Sequence, residues 1–254
     1  VGRNPDRSSL NLSRQENEGM TPLKKDTTMT RKSGLKVCAA VLMLTGAVWA
    51  GKPAINYWTD YQLEYGITDR LAFTAEQENW YDTDRFYLEE TILMAKVKVF
   101  DWFSVAVGDR FVDEREVHDG KRQWRYENRP TLDLLFKHSY EGFTLDWRNR
   151  YEYRDKEGAD REWMRFRNRL RLRTPWKWTD WKISPYVSEE LYYEDRHGLA
   201  KDKRLNQMRS LIGLSMKPAE HVTISVFYLL MHKRSSDRGW QPIHVPGIEL
   251  KLDF

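Results

Sequence analysis

The sequence predicts an all-β fold, an antiparallel transmembrane β-barrel of about 10–12 strands with a charged lumen and aromatic girdles. Three observations point to it. Apolar and polar side chains alternate with period two, turn residues separate the alternating segments, and the chain ends on an aromatic residue. Because successive side chains of a strand point to opposite faces, period two indicates strands rather than helices.

Residues 161–173, REWMRFRNRLRLR, show the alternation most clearly. Arginine stands at every second position from Arg165 to Arg173, and apolar residues such as Met164 and Phe166 stand between them. Helical spacing would scatter both sets around the axis, whereas a strand separates them. The segment is therefore predicted to be a strand with one cationic face and one apolar face.

Eleven segments of this kind follow one another, and each predicts one strand. The first two, YWTDYQLEYG and LAFTAEQEN, set Tyr, Leu and Phe against Asp, Gln and Glu, and short turn or charged sequences delimit the next two. The fifth and sixth, RQWRYENRPTLDLLF and FTLDWRNRYEYR, oppose aromatic residues and Leu to Arg, Asp and Glu. The ranges of these six are 54–66, 71–82, 86–100, 103–116, 122–138 and 142–155.

The last five predicted strands are 161–174, 181–194, 203–217, 222–233 and 243–254. The segment at 181–194 contains Pro185 and has the weakest alternation, and NQMRSLIGLSM and TISVFYLLM alternate less cleanly than the middle of the chain. The final GIELKLDF places Ile, Leu and Phe on one face. No linker interrupts the series, so 51–254 is predicted to be one domain.

The connections alternate in character along the chain. GITDR, FDW, HSYEG, PWKWTD and PAEH are short, whereas YDTDR, DEREVHDGK, RDKEGADR, EDRHGLAKDKR and KRSSDRGWQP are mostly longer and strongly charged. Short turns at one end and longer loops at the other are typical of outer-membrane barrels.

Residues 29–50 are predicted to be a signal peptide. A basic start with Arg31 and Lys32 precedes an apolar core, and the small-residue pattern of a cleavage site ends at Ala50. Residues 1–28 are polar and patternless, which predicts either a disordered leader or an over-extended gene start.

Composition excludes several classes of function. The only cysteine, Cys38, lies within the signal, so residues 51–254 can form no disulfide, thiol nucleophile or cysteine zinc site. Residues 1–50 hold 8 of the 42 Lys and Arg and 4 of the 38 Asp and Glu, so 34 of each remain in 51–254. This zero net charge argues against nucleic acid as a partner.

Aromatic residues crowd the segment ends, where Trp and Tyr of membrane proteins meet the water interface. The apolar face is therefore expected to contact lipid, and the charged face to line the lumen. The alternative is a soluble periplasmic β-protein with an aromatic-rich core. The tryptophans assigned to the girdles are Trp58, Trp80, Trp102, Trp124, Trp163, Trp176, Trp178, Trp181 and Trp240.

The opening YWTDYQLEYGITDRLAFTAEQE, the middle rich in Arg and Glu, and the final GIELKLDF resemble the family known as domain of unknown function 2490. The resemblance implies a β-barrel in the outer membrane of a Gram-negative bacterium, and it brings no known activity and no functional residues. The carboxy-terminal face also resembles the signal by which barrels are handed to the barrel-assembly machinery. Its residues are Ile248, Leu250, Leu252 and Phe254.

If the apolar face meets lipid, two charged walls face each other across the lumen, because the first and last strands meet where a barrel closes. The predicted cationic wall consists of Arg125, Arg129, Arg148, Arg150, Arg165, Arg167, Arg169, Arg171 and Arg173. The predicted acidic wall consists of Asp60, Glu64, Glu76, Glu78, Glu90, Glu249 and Asp253.

Three functional hypotheses remain open from the sequence. In the first, the charges pack a narrow structural barrel; in the second, they line a porin-like channel that guides small anionic solutes. The third hypothesis is an outer-membrane enzyme of the lipase or protease type, with His232 and His244 near Ser235, Ser236 and Asp237. No cofactor or metal is expected; lipid and the assembly machinery are the expected partners.

The number of strands presents a conflict. Eleven segments are counted, yet bacterial single-chain barrels have an even number of strands. We therefore predict ten or twelve strands, with an antiparallel pair between the first strand and GIELKLDF. The alternative is an eleven-stranded barrel closed by a parallel pair.

Overall fold

The computed structural model describes residues 54–83, 85–118, 121–195, 204–235 and 239–254. The leader at 1–28 and the signal peptide at 29–50 lie outside the described residues and stay predictions. Among the residues that are described, no helix is long and apolar enough to cross a membrane.

The described residues form eleven strands and confirm the predicted all-β fold. The predicted segments match them to within a few residues, and the weakest segment, which contains Pro185, is a strand as well. The strands are β1 Ala54–Gly66, β2 Leu71–Asp82, β3 Phe86–Phe100, β4 Phe103–His118, β5 Lys121–Tyr140, β6 Phe143–Lys156, β7 Trp163–Arg173, β8 Ser184–Asp195, β9 Leu205–Ala219, β10 Val222–Ser235 and β11 Gly239–Asp253.

The strands close into one barrel in which each strand neighbours the next along the chain and β1 neighbours β11. The prediction of an even strand number was wrong, because the described residues form eleven strands and β1 pairs with β11 in parallel. Antiparallel neighbours alternate in direction, so an odd number leaves the first and last strands pointing the same way. Their register runs from Ala54 opposite Ile243 to Glu64 opposite Asp253.

The two ends of the barrel differ. We call turn end the one that holds the β1–β2, β3–β4, β5–β6, β7–β8 and β9–β10 connections and the last residue, and loop end the opposite one. At the turn end the Gly66 amide donates to the Phe254 carbonyl at 2.7 Å, and the Phe254 amide donates to the Glu64 carbonyl at 2.9 Å. These bonds join the end of β11 to the end of β1.

The predicted alternation of short and long connections holds only in part. At the loop end, most of DEREVHDGK is strand, since β4 runs to His118 and β5 begins at Lys121. At the turn end, the connection from β7 to β8 is longer than predicted and contains a bridge between Trp178 and Ile183. The charged segments therefore lengthen the barrel wall at the loop end as well as forming loops.

The outer face of the barrel is apolar. Large hydrophobic side chains from nine strands are 43–52% exposed although they belong to regular strands, and their neighbours along each strand are buried or partly buried. Because the barrel is closed, exposed positions face outward and buried ones face inward. Examples on the outer face are Tyr61, Phe73, Leu93, Val107, Trp147, Leu170, Ile212, Tyr228 and Ile248.

Three of the nine tryptophans assigned to girdles lie inside the barrel, so that assignment was wrong for them. Trp80 and Trp163 are only 4% and 6% exposed, and Trp58 stacks on Trp80 with ring centroids 4.9 Å apart. All three share the parity of the charged inner face. Trp102, Trp124, Trp178 and Trp181 are exposed, as a girdle requires.

Apolar side chains fill one side of the interior, formed by β1, β2 and β8–β11. Its buried core is Trp80, Tyr186, Phe227, Leu229, Met231 and Val245. Two glycines make room for rings: a Cβ on Gly213 would lie 2.6 Å from the Tyr186 ring, and a Cβ on Gly247 would lie 2.3 Å from Phe227. The other side of the interior is mostly charged, and a smaller apolar cluster of Ile92, Met94 and Ala106 lies there on β3 and β4.

Candidate functional site: the charged interior of the barrel

Arg110 on β4 is the centre of the charged side and is 1% exposed. Its guanidinium contacts Glu90 through Nε, Glu152 Oε1 at 3.2 Å and Glu78 Oε1 at 3.5 Å. These carboxylates come from β2, β3 and β6, and only β3 is a neighbour of β4. The arginine therefore reaches across the interior.

Glu152 on β6 is completely buried and accepts from three arginines. Arg110 Nη1 and Arg167 Nη1 donate to its Oε1 at 3.2 and 3.0 Å, and Arg165 Nε donates to its Oε2. A lone carboxylate in this position would lose its hydration without compensation, at several kcal/mol. Three cationic donors supply that compensation.

The same arrangement repeats at neighbouring carboxylates. Glu127 receives Arg129 Nε and Nη2 at 2.8 and 2.9 Å and also binds Arg154. Arg150 holds Asp133 by two parallel bonds of 2.7 Å, the fork geometry that arginine offers and lysine does not.

Glu190 on β8 completes the network. It accepts from Arg148 at 2.7 Å, from Arg167 at 3.1 Å and from the Tyr192 hydroxyl at 3.0 Å. We call the whole set the ion-pair lattice: Glu78, Glu90, Arg110, Glu127, Arg129, Asp133, Arg148, Arg150, Glu152, Arg154, Arg165, Arg167 and Glu190.

The register between β6 and β7 explains why their arginines need carboxylates from other strands. Arg150 lies directly opposite Arg167, and Arg148 lies opposite Arg169, so β6 and β7 bring like charges together. Such cross-strand pairs repel. Asp133 and Glu190, on the strands that flank these two, bind Arg148, Arg150 and Arg167 and offset the repulsion.

The prediction of two separate charged walls that face each other was therefore too simple. Arg129, Arg148, Arg150, Arg165 and Arg167 do lie inside, but their carboxylates stand among them on β5, β6 and β8 rather than only across the lumen. Sequence reasoning did not select Arg110, Glu127, Asp133, Glu152 or Glu190 as site residues. Their position on the same alternating face as the arginines is the signal that could have found them.

The remaining predicted wall residues lie towards the two ends. Near the turn end, Lys96 and Lys251 bind Glu64, and Arg173 binds Asp146. Near the loop end, Arg125 Nη1 donates to the Glu157 carbonyl at 3.0 Å. Inner-face positions of the turn-end half also hold Asp60, Glu76, Arg169, Arg171, Glu249 and Asp253.

A cavity of about 780 Å³ opens above the lattice at the loop end; we call it the cup. Its floor includes Glu90, Arg110 and Arg167, and its rim includes Arg85 and Arg125. Inner-face residues of the turn-end half, such as Asp60, Arg169 and Glu249, do not line it. The cup therefore ends at the level of the lattice.

The cup has two unlike sides. Arg129, Arg154 and Arg165 stand on the side of β5–β7, whereas Trp80, Tyr87, Leu88, Met231 and Ile243 stand on the opposite side. Tyr192 and Arg209 lie where the two sides meet. Such a surface offers both charge and apolar contact to whatever enters it.

The other candidate sites are a metal site and the Ser/His/Asp site near the last loop. Within the described ranges, no group of three or more His, Cys, Asp or Glu is arranged to hold a metal ion. His244 hydrogen-bonds the Tyr228 hydroxyl, and Ser236 and Asp237 lie outside the described residues. The hypothesis of a Ser/His/Asp site stays a prediction.

Together these features define a closed all-β barrel with an apolar exterior and an interior packed with ion pairs. The chain belongs to the family described as "Protein of unknown function (DUF2490)", whose model matches residues 55–241. The predicted resemblance to that family is confirmed. A search of curated proteins finds no match.

Proposed function

We propose that the protein is an outer-membrane β-barrel of a Gram-negative bacterium with a closed interior, which presents the cup at one membrane surface. Of the sequence hypotheses, this is the charge-packed structural barrel rather than the porin-like channel. The single observation that carries the choice is the ion-pair lattice, whose central Arg110 and Glu152 are 1% and 0% exposed.

The exterior supports the membrane placement. Exposed Tyr, Trp, Leu, Val and Ile side chains surround the barrel, and a water-facing surface of this kind would form a very large apolar patch. A closed barrel leaves no unpaired strand edge, which is the requirement for crossing lipid with strands. With short turns on the periplasmic side, as in known barrels, the turn end faces the periplasm and the cup faces outward.

The lattice supports a closed interior because a conducting lumen needs a continuous hydrated path. Arginines from β4, β6 and β7 meet carboxylates from β2, β3, β6 and β8 between the cup and the turn end. Opening a path there would leave buried charges unpaired, which is strongly unfavourable.

Membrane placement is tested by fractionation and by gel migration. We expect the protein in the outer-membrane fraction, and we expect the detergent-extracted barrel to migrate differently before and after boiling. Recovery of folded protein from the periplasm without detergent would contradict the proposal.

Closure is tested by conductance in a planar bilayer. The wild-type barrel is expected to be silent, because the lattice blocks the path. Clear conductance steps with anion preference, weakened by Arg167→Glu, would instead establish the channel for small anionic solutes. The matched control is Arg173→Glu at the turn end, where the arginine is partly exposed.

A further inference from the structure

We propose that the cup is a binding site for a small organic anion, whose charged group is held by Arg209 and whose flat apolar body contacts the partly exposed Tyr87 and Leu88. The proposal deepens the proposed function, because a closed floor makes the cup a site rather than a passage. Its volume of about 780 Å³ lies in the range of small-molecule sites.

Arg209 differs from the arginines of the lattice. Among the described residues, no carboxylate lies within ion-pair distance of its guanidinium, whereas each lattice arginine contacts at least one. Glu78 and Glu190 are within electrostatic reach of Arg209, but they bind Arg110 and Arg167. Within the described part of the chain, Arg209 therefore has no carboxylate of its own at the wall of the cup.

Aromatic and amide groups hold this guanidinium in place. It lies 4.8 Å from the Tyr192 ring centroid and 5.0 Å from that of Trp80. The Gln207 amide oxygen can accept from its Nε at 2.7 Å and from its Nη2 at 3.2 Å. Cation–π contacts and a neutral amide position the group without neutralising it, so it is preorganised for an anion.

The charge of the cup agrees with this assignment. Its described lining holds thirteen Lys or Arg and seven Asp or Glu. Glu127, Glu152 and Glu190 behind the wall bind several of these arginines, which still leaves the cations in excess by three. An excess of one sign in a cavity with low-dielectric walls concentrates ligands of the opposite sign.

The apolar side defines the rest of the ligand. Tyr87, Leu88 and Ile243 line the cup on this side and are partly exposed. Inorganic anions would leave these groups in contact with water, whereas a flat ring would cover them and gain the hydrophobic contribution of the buried area. We therefore assign the ligand to ring-bearing carboxylates, phosphates or sulfonates.

Binding is measured by equilibrium dialysis of the full barrel in lipid nanodiscs, with empty nanodiscs as blank. The probes are 2-naphthoate, its neutral isostere 2-naphthamide, and acetate, which has the charge without the ring. We expect saturable binding of one 2-naphthoate per barrel. Binding of 2-naphthamide and acetate is expected to be at least about tenfold weaker, since a charged hydrogen bond or a buried ring contributes at least that factor.

Arg209→Gln is expected to weaken 2-naphthoate about tenfold or more and to leave 2-naphthamide unchanged. Arg173→Gln, at the turn end, is the matched control and keeps wild-type affinity. Gel migration verifies that both variants fold. Equal binding of acid and amide, unchanged affinity in Arg209→Gln, or uptake no greater than that of empty nanodiscs would overturn the site.

The two proposals fail separately. A barrel that conducts and also binds 2-naphthoate through Arg209 would refute the closed floor and leave the site in place. A silent barrel without specific uptake would refute the site and leave closure in place.

Discussion

At the scale of single residues, the interior is organised by buried carboxylates that each hold several arginines. Glu152 illustrates the rule: it is completely buried and accepts from Arg110, Arg165 and Arg167. Burying two ions removes their hydration, and only good geometry with further hydrogen bonds offsets that loss. Here one carboxylate satisfies arginines from two other strands, so the carboxylate determines how these strands pack around the interior.

Glu152→Ala is therefore expected to destabilise the barrel by about 3–5 kcal/mol, because it leaves buried arginines without a shared partner. The measurement is urea unfolding of the reconstituted barrel, followed by tryptophan fluorescence. Glu162→Ala, at an exposed position in the β6–β7 connection, is the control and should change stability by less than about 0.5 kcal/mol. An unfolding midpoint of Glu152→Ala equal to that of wild type would refute this account of the lattice.

At the scale of strands, period-two alternation predicted nearly every boundary to within two residues. Alternation is strict where one face is charged and the other apolar, as in β7. Both the strand and the face that it turns towards the interior therefore follow from the sequence. β8 was the weakest prediction because its inner face mixes Tyr186, Ser188, Glu190 and Tyr192. A mixed inner face weakens the period-two signal, although the strand still pairs with both β7 and β9.

Alternation could not show which inner-face residues meet. Trp58 and Trp80 stand at inner-face positions like Asp60 and Glu78, yet they pack with the apolar side of the interior. Partners such as Arg110 and Glu152 lie on strands that are not neighbours. Their contact depends on barrel curvature and side-chain length, which no local pattern contains. The arginine row was therefore visible in the sequence, whereas its carboxylates were not selected.

At the scale of the whole molecule, the odd number of strands means that the barrel closes through a parallel pair. Ten antiparallel neighbours and one parallel pair complete the barrel among the described strands. Parallel pairing is slightly less stable per residue than antiparallel pairing, but leaving both edges open in lipid would cost several kcal/mol for each unsatisfied group. The balance favours closing the barrel in parallel over leaving it open.

The parallel pairing of β1 with β11, which we call the seam, predicts which introduced cysteines can form a disulfide. Leu63 lies opposite Leu252, and neighbouring strands are about 4.8 Å apart, within the range that a disulfide spans. We expect Leu63→Cys with Leu252→Cys to cross-link on oxidation of the folded barrel, which otherwise has no cysteine in residues 51–254. Non-reducing gel migration of the closed chain reads out the bond.

The matched control for the seam is Leu63→Cys with Pro242→Cys. In the parallel register the start of β11 lies beside Ala54, at the loop end and far from Leu63, so this pair should stay reduced. An antiparallel seam would reverse the outcome, because it would bring the start of β11 to the end of β1. Cross-linking of the control pair without the first pair would therefore require an even number of strands and a different path for the chain around the barrel.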